Sequence, residues 1–201
     1  MSVHVFLGPR GVTDAADRLA LRAAVAEVAG SGTALSSVGL EQRCTRCGGA
    51  HGRARVVSPA ACVSWGVSLS RAGASVAVAV NPSGPIGIDI ESIAALAHRA
   101  VDDVAFTPGE LARLGDLPPC PAARARTRLW TIKEAVLKLT GDGLNVDPRD
   151  LVTGAGGTLE SWPDASFSLV RLHLLTFDAG PGLVGTIAVL GDTPPGLMLH
   201  T

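Results

Sequence analysis

Asp89 and Glu91 stand one residue apart in Gly87-Ile88-Asp89-Ile90-Glu91, where the interleaved isoleucines give the alternation of a strand. On a strand both carboxylates project from one face, with Cα atoms about 7 Å apart. Charges so close repel unless something positive lies between them. A hard cation with oxygen ligands resolves that repulsion, and magnesium binds a few carboxylates while keeping waters for a phosphate substrate to displace. An edge strand with an acidic outer face accounts for the same two residues without chemistry, so this motif alone does not decide.

A second run, Trp130-Thr131-Ile132-Lys133-Glu134-Ala135-Val136-Leu137-Lys138, has its apolar residues at helical spacing. Glu134 and Lys138 are four apart, which on its own describes a solvated pair worth a few tenths of a kcal/mol. The order of the pieces says more. Asp-x-Glu on a strand is followed about twenty residues on by Glu110, then by Lys-Glu-x-x-x-Lys, then by Gly141-Asp142-Gly143-Leu144.

Taken together these motifs closely resemble the 4′-phosphopantetheinyl transferase superfamily, most strongly over about residues 60–145. The length is similar to the monomeric, surfactin-synthetase-activating type. The resemblance implies an α+β fold of two similar α+β halves related by a pseudo-twofold, with coenzyme A at their junction. It divides the chain into 1–85, supplying coenzyme A phosphate contacts, and 86–201, carrying the metal site and the catalytic helix. It also implies that Asp89, Glu91 and Glu134 bind Mg2+, with Mn2+ as a substitute, and that Lys138 contacts the phosphates. Glu110 then matches the glutamate after a Phe-Ser/Thr segment, here Phe106-Thr107-Pro108-Gly109-Glu110.

The implied reaction moves the phosphopantetheine arm of coenzyme A onto a serine of an acyl or peptidyl carrier protein and releases 3′,5′-ADP. Such a transfer needs charge stabilisation on the phosphate oxygens and a group to take the serine proton. Glu134 or Glu110 is the candidate acceptor. A coenzyme A-binding paralogue with weakened catalysis, or another magnesium-dependent pyrophosphate enzyme, would share the acidic residues.

Coenzyme A also carries a 3′-phosphate, so cations beyond the metal are required. Arg18 and Arg22, four apart on a predicted helix, and Arg53 are the candidates, joined by Ser70 and Arg71. Where the family usually has Ser-His, this chain has Ser70-Arg71, replacing a titratable ring with a permanently charged planar fork. Arg124, Arg126 and Arg128 could meet an acidic carrier or form a solvated helix face.

The elements that must hold these residues are legible in part. Ser2–Leu7 reads as a strand and Thr13–Ala29 as a helix capped by Thr13 or Asp14 and closed by Gly30. Residues 31–59 read as loop, with one short strand at Ala34–Leu40. Cys62–Ser70 alternates as a half-buried strand, and Ser75–Val80 and Ile86–Ile90 extend it into a small antiparallel sheet around the turn at residues 81–85. Thr107, Pro108 and Glu110 form a capping-box signature, and a helix runs from about Pro121 to Thr140. Ser166–Phe177 and Val184–Leu190 read as two further strands.

Composition narrows the function classes. With 47% hydrophobic and 17% charged residues and a formal net charge of −1, the chain is neither disordered nor a general polyanion binder, and no nucleic-acid partner is expected. No stretch approaches the ~20 apolar residues of a membrane span, and no leader is visible, so the cytoplasm is expected; that the chain is a monomer is implied by the resemblance. Trp65, Trp130 and Trp162 are the few large pieces available as packing centres. Cys44 and Cys47, with His51 four residues on, invite a zinc reading, but no fourth ligand lies nearby and an ordinary loop is expected.

Overall fold

Alternation and capping account for most of the secondary structure. The computed structural model describes residues 2–44, 47–49 and 52–201. Its first part runs β1 (Ser2–Pro9), α1 (Asp14–Ala29), β2 (Gly39–Gln42), β3 (Ala54–Ser58), β4 (Gly66–Ala72) and β5 (Ser75–Asn81). It continues through β6 (Ile86–Ser92), α2 (Ile93–Ala97), α3 (Asp102–Ala105), α4 (Pro108–Gly115) and α5 (Pro119–Thr140). The last part contains β7 (Val152–Thr153), β8 (Leu159–Ser161), β9 (Leu172–Phe177), β10 (Leu183–Leu190) and β11 (Gly196–His200).

Among the described residues the strands form a six-stranded sheet, β11-β1-β5-β4-β3-β2, a three-stranded sheet, β6-β10-β9, and the pair β7-β8. The spatial order β1-β5-β4 recurs as β6-β10-β9, antiparallel in both cases. In each, a helix follows the first strand. β11 adds to the first sheet by pairing parallel to β1, so residues 196–200 stand with the N-terminal elements.

Burial follows from the alternation. Val3 and Val5 of β1 and Ala77 and Ala79 of β5 meet Ile86, Ile88 and Ile90 of β6 in a core shared by both sheets. Each isoleucine so buried contributes about 1.5–3 kcal/mol. On the far side of the first sheet, Leu21, Ala24 and Val25 of α1 pack on Val76, Val78 and Val80. On the far side of the second, Ala135, Val136 and Leu139 of α5 pack with Ala188, Leu151 and Trp162. Trp130 and Trp162 are packing centres as expected, whereas Trp65 only borders the first-sheet core.

Caps fix the helix starts. Thr13 Oγ1 accepts from the Ala16 amide at 3.2 Å, and Thr107 with Glu110 forms the full capping box at α4. Several expectations needed correction. The fourth strand begins at Gly66, because residues 60–62 form a turn of 3₁₀ helix. Its serine face is buried rather than solvated, since Ser68 accepts from the Ile88 amide of β6 at 3.1 Å. β6 does not extend the first sheet but is the edge of the second. Within residues 31–59 the strand at 34–40 shifts to Gly39–Gln42 and gains a partner, β3. Residues 169–171 are 3₁₀ helix, so the strand predicted from Ser166 starts at Leu172. Among the described residues no helix is long and apolar enough to cross a membrane.

Candidate active site

Gly87 sets the site's geometry. A Cβ on this residue would collide with the Ala135 carbonyl and lie 2.6 Å from the Leu139 amide, so α5 rests directly on the β6 backbone. Ile86, Ile88 and Ile90 point into the shared core, leaving Asp89 on the strand's other face, toward α5. Trp130, Glu134 and Lys138 recur every four residues along α5 and share one helix face. The close crossing brings that face onto the strand's carboxylates.

Asp89 is the centre of the group and only 3% exposed. Its Oδ1 accepts from Ser70 Oγ at 2.7 Å and from Lys138 Nζ at 2.6 Å, and Lys138 also donates to Ser70 Oγ at 3.2 Å. Its Oδ2 is buried without a partner among the described residues. Glu91 Oε1 accepts from Arg99 Nη1 at 3.1 Å and from the Trp130 indole at 3.3 Å. Burial, then the charge of Asp89, push the Glu91 carboxyl above the ordinary carboxylate range, against the pull of Arg99, Trp130 and Lys138. Burial, then Asp89, push Glu134 up as well; Glu91 adds to this, and Lys138 and Arg99 oppose it. The three acids therefore sense one another, and Lys138 is a counter-cation common to all of them.

This donor set fits a hard divalent cation. It offers oxygen ligands, mutual repulsion that a cation would relieve, and in Asp89 Oδ2 a desolvated lone pair with nothing to bind. Among the described residues no group of three or more His, Cys, Asp or Glu is preassembled for a metal. The ammonium of Lys138 holds Asp89 instead.

Next to this group opens a cavity of about 560 Å³ between α1, β2, β3, β4 and the end of α5, lined by Arg18, Arg22, Arg53, Arg71 and Lys138. The first-sheet cations expected from sequence thus meet at one place. Arg18 Nε donates to Gln42 Oε1 at 3.2 Å, and Arg53 Nη1 donates to the Leu139 carbonyl at 3.1 Å, tying β3 to α5. Burial, then the neighbouring Arg55, hold the Arg53 guanidinium below the ordinary arginine range. Arg71 is less free. Its Nε bonds Asp17 Oδ2 at 2.5 Å and its Nη2 lies 3.4 Å from Asp14 Oδ1. Asp17, 1% exposed, also accepts from the Gly11 amide at 2.8 Å. Arg71 thus anchors α1 to β4 while forming part of the cavity wall.

Glu110 lies outside the acidic group. It is fully buried, with Oε2 accepting from Lys133 Nζ at 2.7 Å and the Thr107 amide at 2.8 Å, and Oε1 accepting from the Thr153 amide at 2.9 Å. Lys133 is likewise fully buried and donates to the Ala105 carbonyl at 2.6 Å. Both oxygens of Glu110 hold α4, α5 and β7 together, so the structure places it apart from Asp89, Glu91 and Glu134. Arg126 is similarly committed, to Asp102 and to the carbonyls of Leu96 and Arg99. Arg124 and Arg128 are exposed. The zinc reading of Cys44 and Cys47 included His51, which lies outside the described residues.

Residues 85–173 match the family model of the 4′-phosphopantetheinyl transferase superfamily. That span takes in Asp89, Glu91, Glu134 and Lys138 and stops short of the cavity arginines and Ser70. Among curated proteins, the uncharacterized protein YieE of Escherichia coli K12 is 38% identical over 91 residues, covering 42% of this chain and 34% of the relative. YieE of Escherichia coli O6:H1 strain CFT073 matches to the same extent. The aligned part of this chain spans about a third of the length of these relatives.

Sequence reasoning missed Arg99 and Trp130 as partners of Glu91. The four-residue spacing of Trp130, Glu134 and Lys138 was the available signal for Trp130. Arg99 follows Glu91 by eight residues with no periodic clue.

Proposed function

We propose that the chain transfers the 4′-phosphopantetheine arm of coenzyme A to a serine of an acyl or peptidyl carrier protein, with Mg2+, releasing 3′,5′-ADP. One observation carries this reading: Lys138 belongs to both the acidic group and the cationic cavity, touching Asp89 at 2.6 Å while lining the arginine-rich wall. A pyrophosphate at Lys138 would therefore have carboxylates on one side and guanidiniums on the other.

Asp89, Glu91 and Glu134 would hold the metal. When bound, Mg2+ supplies positive charge against the phosphate oxygens. Arg18, Arg22 and Arg53 bind and orient the nucleotide phosphates as fork donors, and Lys138 adds a point charge. The carrier serine Oγ attacks the β-phosphorus as the bond to the bridging oxygen breaks and 3′,5′-ADP departs. Glu134, on the helix face that also carries Lys138, accepts the serine proton. Ser70 fixes Asp89, and Arg99 and Trp130 fix Glu91. Glu110 acts through Lys133 as a positioning residue for α5.

The recurrent order β1-β5-β4 and β6-β10-β9 supports two similar halves with a pseudo-twofold relation; the surfactin-synthetase-activating type, as a monomer working in the cytoplasm, is part of the same proposal. The test is incubation with coenzyme A, Mg2+ and several apo carriers, read by the mass of the carrier. Addition of the arm, lost in Asp89→Asn, is expected. No adduct on any carrier would defeat the reading.

A further inference from the structure

Asp14 is the one carboxylate among the described residues lining the cavity, set against Arg18, Arg22, Arg53, Arg71 and Lys138. An acid in a cationic cavity repels the anions that the cavity attracts. The start of α1 is secured without it. Thr13 caps the helix, and Asp17 ties it to the Gly11 amide and to Arg71. The helix dipole accounts for an acid in the first turn, but not for its reach toward Arg71. The Asp14 side chain is 71% exposed, yet its Oδ1 lies 3.4 Å from Arg71 Nη2.

Arg71 thus divides its donors between two acids of unlike standing. On the inner side, Nε bonds Asp17 Oδ2 at 2.5 Å. Burial pushes the Asp17 carboxyl up, but donors from Arg71 and Gly11, with the charges of Arg71 and Arg10, more than offset this and hold it below the ordinary range. On the outer side, the Asp14 contact is longer than an ordinary hydrogen bond, and an ion pair so exposed is weak. A guanidinium has five N–H donors. With Nε committed to Asp17, those on the two terminal nitrogens are what Arg71 can offer to an anion in the cavity it lines.

We propose that Asp14 limits the affinity of the nucleotide site, competing with a phosphate of coenzyme A or 3′,5′-ADP for the terminal nitrogens of Arg71. The inference rests on reading the cavity as the site of those nucleotides. When a phosphate enters, the exposed Asp14 carboxylate turns to solvent. Arg71 then donates its terminal N–H groups to the phosphate as a planar fork, while Nε stays on Asp17. Asp14 opposes this binding twice, by holding Arg71 and by repelling the bound phosphate. It thereby limits how tightly the departing 3′,5′-ADP is held.

The experiment is calorimetric titration of the full chain with 3′,5′-ADP at low salt, with no carrier present. Asp14→Asn should bind about 3-fold tighter than wild type, a gain that partial unfolding cannot produce. Arg71→Lys keeps a cation for Asp17 but loses the fork, so in that background most of the gain from Asp14→Asn should vanish. Unchanged or weaker binding by Asp14→Asn overturns the proposal even if Arg71→Lys fails to fold. So does a gain undiminished in Arg71→Lys, which would make Asp14 a general charge rather than a competitor for Arg71. Absence of 3′,5′-ADP binding by both wild type and Asp14→Asn overturns it as well. Tighter binding by Asp14→Asn in a chain that modifies no carrier would uphold this inference and defeat the transfer reading; transfer with unchanged binding would do the reverse.

Discussion

Replacing Gly87 by alanine tests whether the α5–β6 crossing positions the chemistry. The added Cβ would stand 2.6 Å from the Leu139 amide and closer still to the Ala135 carbonyl, where ordinary contact begins at 3.4 Å. Both obstacles are backbone, so no rotamer relieves them and α5 must retreat by roughly 1 Å, with an overpacking cost of about 1–3 kcal/mol. The same retreat draws Lys138 Nζ from its 2.6 Å bond to Asp89 and displaces Glu134. A misplacement of about 1 Å near reacting groups can cost roughly 100-fold in rate. Urea unfolding and the carrier-transfer assay read the two effects separately. Gly8→Ala, where nothing lies within 4 Å of the new Cβ, is the control and should change neither by much. If Gly87→Ala kept wild-type stability and transferred within twofold of the wild-type rate, the close crossing would not be what positions the site.

Glu110→Gln should destabilise the fold by about 3–5 kcal/mol, because it strands Lys133 as a buried unpaired charge; an unchanged urea midpoint would refute the pair's structural role. Burial pushes the Glu110 carboxyl up, but donors from Lys133, Thr153 and Thr107 more than offset this and hold it below the ordinary range. Its folded value is therefore below its unfolded one. The stability it confers is full above the unfolded value, about 4.3, and is lost as pH falls through the folded value. Acid titration of unfolding should show this loss in wild type and a shallower one in Glu110→Gln. Lys138→Met should lower transfer by about 100-fold or more without weakening Mn2+ binding measured calorimetrically, since Asp89 Oδ1 loses a competing cation. Loss of Mn2+ affinity would count against the shared counter-cation. Arg71→Ala strands Asp17 with the Gly11 amide alone and should cost about 1.5–3 kcal/mol, measured by urea unfolding; a purely ligand-binding Arg71 would leave stability intact.

The features legible in the sequence were those specified by local chemistry. Thr13 and Thr107 announced their helices because a cap is a contact of three residues. The alternation at Ile86–Ile90 announced a strand because the apolar face is written every second position. What local pattern could not reveal was partnership. The serines of β4 alternate with apolar residues like any half-solvated strand, yet their hydroxyls serve the edge of β6 in the other sheet. β3 and β11 are short, and each exists through a neighbour, β2 or β1, that propensity does not name. In the site, Asp89, Glu91, Glu134 and Lys138 were readable as types and spacings. The Glu134–Lys138 spacing suggested a pair along the helix, but Lys138 turns across to Asp89, the more buried and needier acid. Arg71 meets Asp17 across 54 positions, a contact available only to a folded chain. Glu110 was correctly read as a cap, and its remaining lone pairs go to Lys133 and Thr153.

The pairing of β11 with β1 also matters before the fold is complete. His4 and His200 touch at 3.2 Å although 196 positions apart. At ribosomal speeds of about 5–20 residues per second, β1 waits roughly 10–40 s for that neighbour to be synthesised. During this interval one edge of β1 offers unpaired amides and carbonyls, including those flanking Phe6, to any strand that passes. The nascent chain is therefore open to mispairing at β1, and its yield in cells should respond to chaperone supply more than the stability of the finished fold would suggest.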